Sequence, residues 1–292
     1  IYVRRCIGDP SCCGNLRIAV KVYGGSKNLN PNDILAQNRE SWDAIADTFF
    51  GVTALPEYGC FIPSEEGLRL FPALAGQKVL DIGCGSGHSL KWCGERGAAE
   101  LWGLDLSDQQ IETAAGLLDG YAYRLFRSPM EQNPGIPEGY FDVVYSIYAI
   151  GWTVDMQTTF DLVFSYLKQG GSFIFSWDHP LLYCTEAVGG QILFSGSYDE
   201  PEPFTFKKTG KKPAERSYPN WEAEEGVPLT LYNRRFCDYI NALAKAGFRI
   251  ERLVEETDRE TLDGEPSFST RYYSPWKAKR FPQSFVICAR KL

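Results

Sequence analysis

"VLDIGCGSGHSL" (79–90) sets Gly83, Gly85 and Gly87 at alternate positions, directly after an apolar run that holds one acid, Asp81. Glycine loses more backbone entropy on folding than any other residue, so this spacing calls for a reason. The residues before the glycines read as a strand (78–83) and those after them as a helix (87–95). A glycine-rich turn at such a junction lets a ligand press against bare backbone and aims a helix amino terminus at it. In an open α/β sheet that junction lies beyond the carboxyl end of strand one, where ligands bind. His88 stands where the dinucleotide fingerprint G-x-G-x-x-G needs its third glycine. Asp81 adds a carboxylate suited to a ligand that carries positive charge.

The flanking sequence repeats the strand–helix alternation. Apolar strands are expected near 101–105, 121–126, 141–147 and 171–177, with helices at 107–118 and 155–168. That order gives a mainly parallel sheet covered on both faces. Upstream, "PNDILAQNRESWDAIADTFF" (31–50) has helical spacing with a cap at Asn32 or Asp33, and "SEEGLRLFPAL" (64–74) suggests a short helix. Downstream, a helix at 231–246 leads into "FRIERLVEE" (248–256) and "SFVICARKL" (284–292), an antiparallel pair expected to close the sheet's edge. "LWGLDLS" (101–107) ends a strand on Asp105, where an acid accepts hydrogen bonds from ribose hydroxyls. Ser107 is the better helix cap, which leaves Asp105 for a ligand.

Composition narrows the function. The chain has 292 residues, 44% of them hydrophobic, enough for one large core or a domain with an elaboration. No apolar run approaches the length of a membrane span. A net charge of −7 argues against a nucleic-acid surface, which would need Lys and Arg for phosphates. The one dense basic run, "KKTGKKPAER" (207–216), reads as a solvated loop. Nine cysteines are scattered without a C-x-x-C, and with two histidines no zinc site of ordinary spacing can be assembled. Unpaired thiols fit a reducing compartment, so a cytoplasmic location is expected. Residues 1–28 carry five basic residues against one acid and no signal-peptide layout. "LRIAVKVYG" (16–24) alternates like a short strand, and 1–30 is read as an appendage without assigned function.

With "VLDIGCGSG", "GLDLS", "FDVVYSIYAIGW" (141–152) and "YLKQGGSFIFSWDHP" (166–180) side by side, the chain resembles the class I S-adenosylmethionine-dependent methyltransferases. The likeness covers roughly 31–180 and, more loosely, the last sixty residues. It implies an α/β, Rossmann-like fold: a mainly parallel sheet with helices on both faces and an antiparallel C-terminal edge. One domain would span 31–292, with a substrate-side insertion at about 181–230. The cofactor implied is S-adenosyl-L-methionine. Asp81, Gly83, Cys84, Gly85, Gly87 and His88 would surround its methionyl and ribosyl groups. Asp105 would hold the ribose, Leu106 would stack on adenine, and Ser146 would face the sulfonium. The family often has an acid-containing "GDA" after strand three that binds the adenine amine; here the stretch is "FRSPMEQNP" (126–134), so Ser128 or the Met130 backbone would substitute. Cys84 reads as a small residue tolerated in the turn rather than a nucleophile.

Methyl transfer needs a general base only if the acceptor carries a proton to be removed. The ends of strands four and five offer Tyr148, Trp152, Asp178 and His179, of which His179 suits a base at neutral pH. "GGQILFSGSYDEPEPFTFKK" (189–208) looks like a β-hairpin with Ile192, Phe194, Phe204 and Phe206 on one apolar face. With Trp42, Phe49 and Phe50 it would form a lid over a small, partly apolar acceptor. Two other classes compete: a noncatalytic cofactor-binding protein on the same fold, and a nicotinamide-dependent oxidoreductase, which His88 disfavours. No metal, nucleic-acid or membrane partner is expected.

Overall fold

The computed structural model describes residues 29–200, 202–208 and 226–292. The expected strand at 16–24, most of the 1–30 appendage and most of the basic run 207–216 lie outside them.

The chain opens with helix α1 (Pro31–Ile45), which a 3-10 turn (Ala46–Phe49) extends, and with the short α2 (Glu65–Leu68). The cap of α1 is Asn30, ahead of the positions expected. Its side chain accepts from the Asp33 N–H at 3.1 Å while Asp33 accepts from the Asn30 N–H at 3.4 Å, and Pro31 occupies the first helical position. Strand and helix then alternate through β1 (Lys78–Ile82), α3 (His88–Glu95), β2 (Glu100–Asp105), α4 (Asp108–Leu117) and β3 (Tyr123–Arg127). After a helix-free loop come β4 (Phe141–Ile147), a 3-10 turn (Ile150–Trp152), α5 (Met156–Tyr166) and the long β5 (Leu167–Asp178).

An excursion follows: α6 (Leu181–Cys184), β6 (Thr185–Val188), β7 (Gln191–Phe194), β8 (Pro203–Lys208) and β9 (Val227–Tyr232). The chain then returns to the sheet through α7 (Phe236–Ala246) and β10 (Phe248–Val254). It ends with α8 (Arg259–Asp263), α9 (Pro275–Ala278) and β11 (Ser284–Lys291).

Seven strands form the main sheet in the order β10-β11-β5-β4-β1-β2-β3. Strands β3, β2, β1, β4 and β5 run parallel, and β11 lies antiparallel between β5 and β10. The C-terminal pair is thus antiparallel as expected, although β11 inserts next to β5 and leaves β10 at the edge. Strand order reverses between β1 and β4, and their carboxyl ends frame the crevice where such sheets take ligands. Both faces are covered. Leu80, Val144, Phe160 and Phe173 belong to a core on one side, and Val79, Tyr145, Ile174 and Leu90 to a core on the other. Central parallel strands buried on both faces need such continuous apolar runs.

The expected hairpin across 189–208 is not what forms. Gly189 and Gly190, at φ +57° and +82°, make a two-residue turn that pairs β7 with β6 instead. Strand β8 pairs with β9, and Phe194 is 74% exposed, so it shares no apolar face with Phe204 and Phe206. Those two rings pack on Tyr183 and Trp152, at centroid distances of 5.4 and 6.2 Å. Helix α7 begins at Phe236 rather than 231, because Leu231 and Tyr232 still belong to β9.

Candidate functional site

The three glycines after β1 all have left-handed φ angles, and they serve different ends. A Cβ on Gly83 would fall 2.5 Å from Ala149 Cβ and 2.6 Å from Met130 Cε, so this glycine lets the β4 loop close on the turn. A Cβ on Gly87 would come within 3.0 Å of Ala114 Cβ, which makes Gly87 the contact with α4. At Gly85 the only atom within 4 Å of such a Cβ is Gln110 Oε1, at 3.9 Å. Its bare face opens into a cleft. The turn is pinned by N–H donation from Gly83 and Cys84 to the Leu104 carbonyl, at 2.8 and 3.0 Å.

Asp105, at the end of β2, accepts from the Gly85 N–H at 2.9 Å through one oxygen and from the Ser107 N–H at 2.9 Å through the other. It is therefore less free than the sequence suggests, yet each oxygen keeps a lone pair. Ser107 does cap α4 by accepting from the Gln110 N–H at 3.2 Å, and its hydroxyl donates to Asp43 of α1 at 2.6 Å. Burial raises the Asp105 pKa against hydrogen bonds from Ser107, Gly85 and Leu106. Asp81 is 2% exposed, and burial followed by the nearby Asp105 charge pushes its carboxyl well above the ordinary range.

Together these residues line a cleft with about 980 Å³ of empty space, its open mouth included. Helix α1 and the segment after it roof the cleft with Asn38, Trp42, Phe49 and Val52. The roof is fastened at both ends. The Gly51 and Leu55 N–H groups donate to Ser86 and Ser89 hydroxyls at 3.2 and 3.1 Å, and Phe50 sits edge-on to His88 with centroids 4.5 Å apart. Asn38 exchanges two hydrogen bonds with the Thr230 backbone of β9, at 2.7 and 2.8 Å.

Three residues that line the cleft each hold a buried acceptor atom with no hydrogen-bond partner among the described residues: Asp81 Oδ1, Gln110 Oε1 and Glu131 Oε2. A buried acceptor left bare costs roughly 1–3 kcal/mol, and a cluster of them lining one cavity marks where a ligand's donors belong. Among the described residues, no three His, Cys, Asp or Glu side chains gather as metal ligands, and no helix is long and apolar enough to cross a membrane.

Most residues singled out in the sequence line this cleft: Asp81, Gly83, Cys84, Gly85 and His88, with Asp105, Leu106, Ser128, Met130 and Tyr148. Cys84 is buried and its thiol pKa is raised well above the usual range by burial and by the Asp105 and Asp81 charges, so it stays protonated. His88 shares a 3.0 Å hydrogen bond with Ser86, and burial lowers its pKa. Ser146 does not reach the cleft. It is fully buried, and its hydroxyl donates to the Ile82 carbonyl at 2.8 Å, tying β4 to β1 beneath the floor.

The structure does not bring Asp178 or His179 to the cleft either. Asp178 accepts from four tyrosine hydroxyls: Tyr148, Tyr273 at 2.7 Å, Tyr183 at 3.1 Å and Tyr272 at 3.3 Å. Burial pushes its pKa up to about 6 while those hydroxyls oppose the rise. His179 Nδ1 accepts from the Leu181 N–H at 3.2 Å, which leaves the ring proton on Nε2 facing Glu255 at 2.7 Å. Burial lowers the His179 pKa, and neither nitrogen is open to a substrate. Trp177 is the physical reason. It packs against Trp152 with centroids 5.6 Å apart, and a Cβ on Gly151 would lie 1.9 Å from its ring. That packing stands between the end of β5 and the cleft. Tyr148 contributes its ring to the cleft wall but sends its hydroxyl to Asp178, and burial raises its pKa well above the usual range.

Sequence reasoning missed Gln110, Glu131 and Asn38. Gln110 stands three residues after the Ser107 cap, on the turn of α4 nearest the glycines, and this spacing could have revealed it. Glu131 lies in a loop with no periodicity to read.

A family model described as a methyltransferase domain matches residues 61–253. An uncharacterized protein of Haemophilus influenzae is 31% identical over 194 residues, covering 64% of this chain and 73% of that protein. A trans-aconitate 2-methyltransferase of Methylobacterium radiotolerans is 26% identical over 245 residues, covering 78% of this chain and 92% of its own. Among solved structures, an S-adenosylmethionine-dependent methyltransferase from Mesorhizobium loti superposes with a TM-score of 0.58 at 23% identity, covering 77% of this chain and 96% of that one.

Proposed function

The chain belongs to the methyltransferase-domain family, with S-adenosylmethionine as methyl donor, and from that premise we propose that it methylates a small-molecule acceptor held in the cleft under α1. In this reading 31–292 act as one catalytic domain, the excursion between β5 and α7 caps the acceptor, and the enzyme works in the cytoplasm.

The observation that carries the reading is the coincidence of open backbone at Gly85 with the unpartnered acceptors of Asp81 and Gln110. These residues fit the cofactor. Asp105 has lone pairs left for the ribose hydroxyls, and Leu106 beside it offers an apolar surface for adenine. Asp81 would meet the ammonium of the methionyl group, whose positive charge would offset the cost of burying the carboxylate. Ser128, whose own N–H donates to the Asp105 carbonyl at 2.9 Å, ties the loop after β3 to the end of β2, and Ser128 or the Met130 backbone would meet the adenine. When bound, the cofactor supplies a methyl group already activated by its sulfonium.

What remains for the protein is positioning and exclusion of water. The rings of Tyr148, Trp152, Trp42 and Phe49 wall the acceptor end. With Asp178 and His179 engaged elsewhere, neither serves as a base toward the acceptor. Calorimetric titration with S-adenosylhomocysteine tests the reading, followed by detection of S-adenosylhomocysteine formed from S-adenosylmethionine across a metabolite library. Binding of the homocysteine but not of NADH is expected, with loss of binding in a folded Gly85→Val variant, whose branched side chain would enter the cleft at φ +49°. Undiminished binding by that variant would remove the glycine turn from the site.

A further inference from the structure

Resting on the methyltransferase reading, we propose that Glu131 is the residue that selects the acceptor, and that the acceptor is an aromatic or heteroaromatic molecule presenting an amine N–H rather than an anion. Glu131 lies in the loop after β3 and is held at one end only. Its Oε1 accepts from the Thr153 hydroxyl, from the Val154 N–H and from the Asp155 N–H, the last at 3.3 Å. Glu131 is one of the residues lining the cleft, and its Oε2 is buried without a partner among the described residues. A carboxylate anchored through one oxygen and bare at the other is oriented before any ligand arrives, so the donor that completes it loses little to reorganisation.

The anchor also tells which part of the cleft Glu131 serves. Thr153 follows Trp152, whose ring meets Trp42 of the roof edge-on at a centroid distance of 5.2 Å. The aromatic wall and the bare oxygen thus belong to the same end of the cleft. Asp81, in β1, and Asp105, at the end of β2, are the carboxylates that the cofactor's own donors would meet. Glu131 is left for the second substrate.

Charge sets the class. The described lining residues include three carboxylates, Asp81, Asp105 and Glu131, and neither Lys nor Arg. Arg234 is near enough to interact with the Glu131 charge, but it donates to the Gly151 and Thr153 carbonyls at 3.4 and 2.5 Å and does not line the cleft. An anionic acceptor would be desolvated against like charges with no counter-ion at hand. An amine satisfies Oε2, and its ring packs on Trp42 and Trp152, whose faces attract cations and N–H edges.

The test uses the full chain saturated with S-adenosylhomocysteine and titrated with benzylamine, benzyl alcohol and benzoate. Benzylamine should bind at least about tenfold more tightly than benzoate, with benzyl alcohol between them. E131Q should cut that advantage to about threefold or less, with the S-adenosylhomocysteine affinity unchanged to within about twofold, which also certifies the fold. E131D, which keeps the charge, should retain the order of the probes. Equal affinities for benzylamine and benzoate in the unmodified protein, including none measurable for either, overturn the proposal. So does an E131Q variant that loses S-adenosylhomocysteine binding and keeps the probe order, since Glu131 would then serve the cofactor. Failure of the methyltransferase reading itself would appear earlier, as no S-adenosylhomocysteine binding by the unmodified chain.

Discussion

Asp81 and Asp178 occupy comparable places, at or near the carboxyl ends of two parallel strands that flank β4, and each is 2% exposed. Burial raises the pKa of both. Around Asp178 four tyrosine hydroxyls fill the carboxylate's acceptor sites. At Asp81 one oxygen has no partner and borders a cleft. Position and burial are shared, and open valence is what differs. A saturated buried carboxylate is a structural node, whereas an unsaturated one beside a cavity stores an interaction that only a ligand completes.

That contrast can be broken most forcefully at Asp178. Asp178→Ala would leave four buried hydroxyls without their acceptor, and a loss of roughly 3–5 kcal/mol in urea unfolding is expected. S-adenosylhomocysteine affinity of the folded fraction should change less than about threefold. A stable variant with weakened cofactor binding would place Asp178 in the site after all.

A pH series sharpens the same point. The Asp178 carboxyl titrates at about 6 in the fold against 3.8 when exposed, so between those values the folded state holds the extra proton. Stability contributed by this group is therefore present below pH 3.8 and lost as pH rises through about 6. The difference is on the order of 3 kcal/mol, and Asp178→Asn should flatten that part of the profile relative to the unmodified chain. Superimposable profiles would contradict the burial argument.

Next in size comes Asp105→Ala, expected to weaken S-adenosylhomocysteine binding by about 1.5–3 kcal/mol, more than tenfold, through lost charge-assisted hydrogen bonds. Part of the loss is indirect, because the Gly85 N–H also gives up its acceptor. Unchanged affinity in calorimetry would take Asp105 out of the site. The smallest effect belongs to His179→Gln: kcat/KM should move by less than about twofold, since neither ring nitrogen faces the cleft. A hundredfold drop would restore His179 as a base.

These residues also mark how far the sequence could be read. The glycine turn and Asp105 were legible because backbone conformation and strand–helix order act locally, and both leave a spacing in the chain. The role of His179 was not, because it depends on Glu255, 76 positions away, and on the Leu181 N–H. Nor could the tyrosine cluster be seen, since Tyr272 and Tyr273 reach Asp178 from the segment before α9. The misread hairpin failed for a local reason. The dihedrals of Gly189–Gly190 make that pair the turn between β6 and β7, so 191–194 pairs backward and not with 203–208. Glu131 offered no periodicity, and only the geometry of its two oxygens reveals it.

The claim that unpartnered acceptors mark the ligand site is tested most directly by one variant read two ways, Asp81→Asn. The amide keeps the shape and the Tyr145 hydrogen bond while removing a buried charge repelled by Asp105. The account predicts a thermal midpoint equal to or above that of the unmodified chain, together with S-adenosylhomocysteine affinity at least about tenfold weaker. A lower midpoint with unchanged affinity would show that Asp81 holds the fold together as Asp178 does, and would contradict the account.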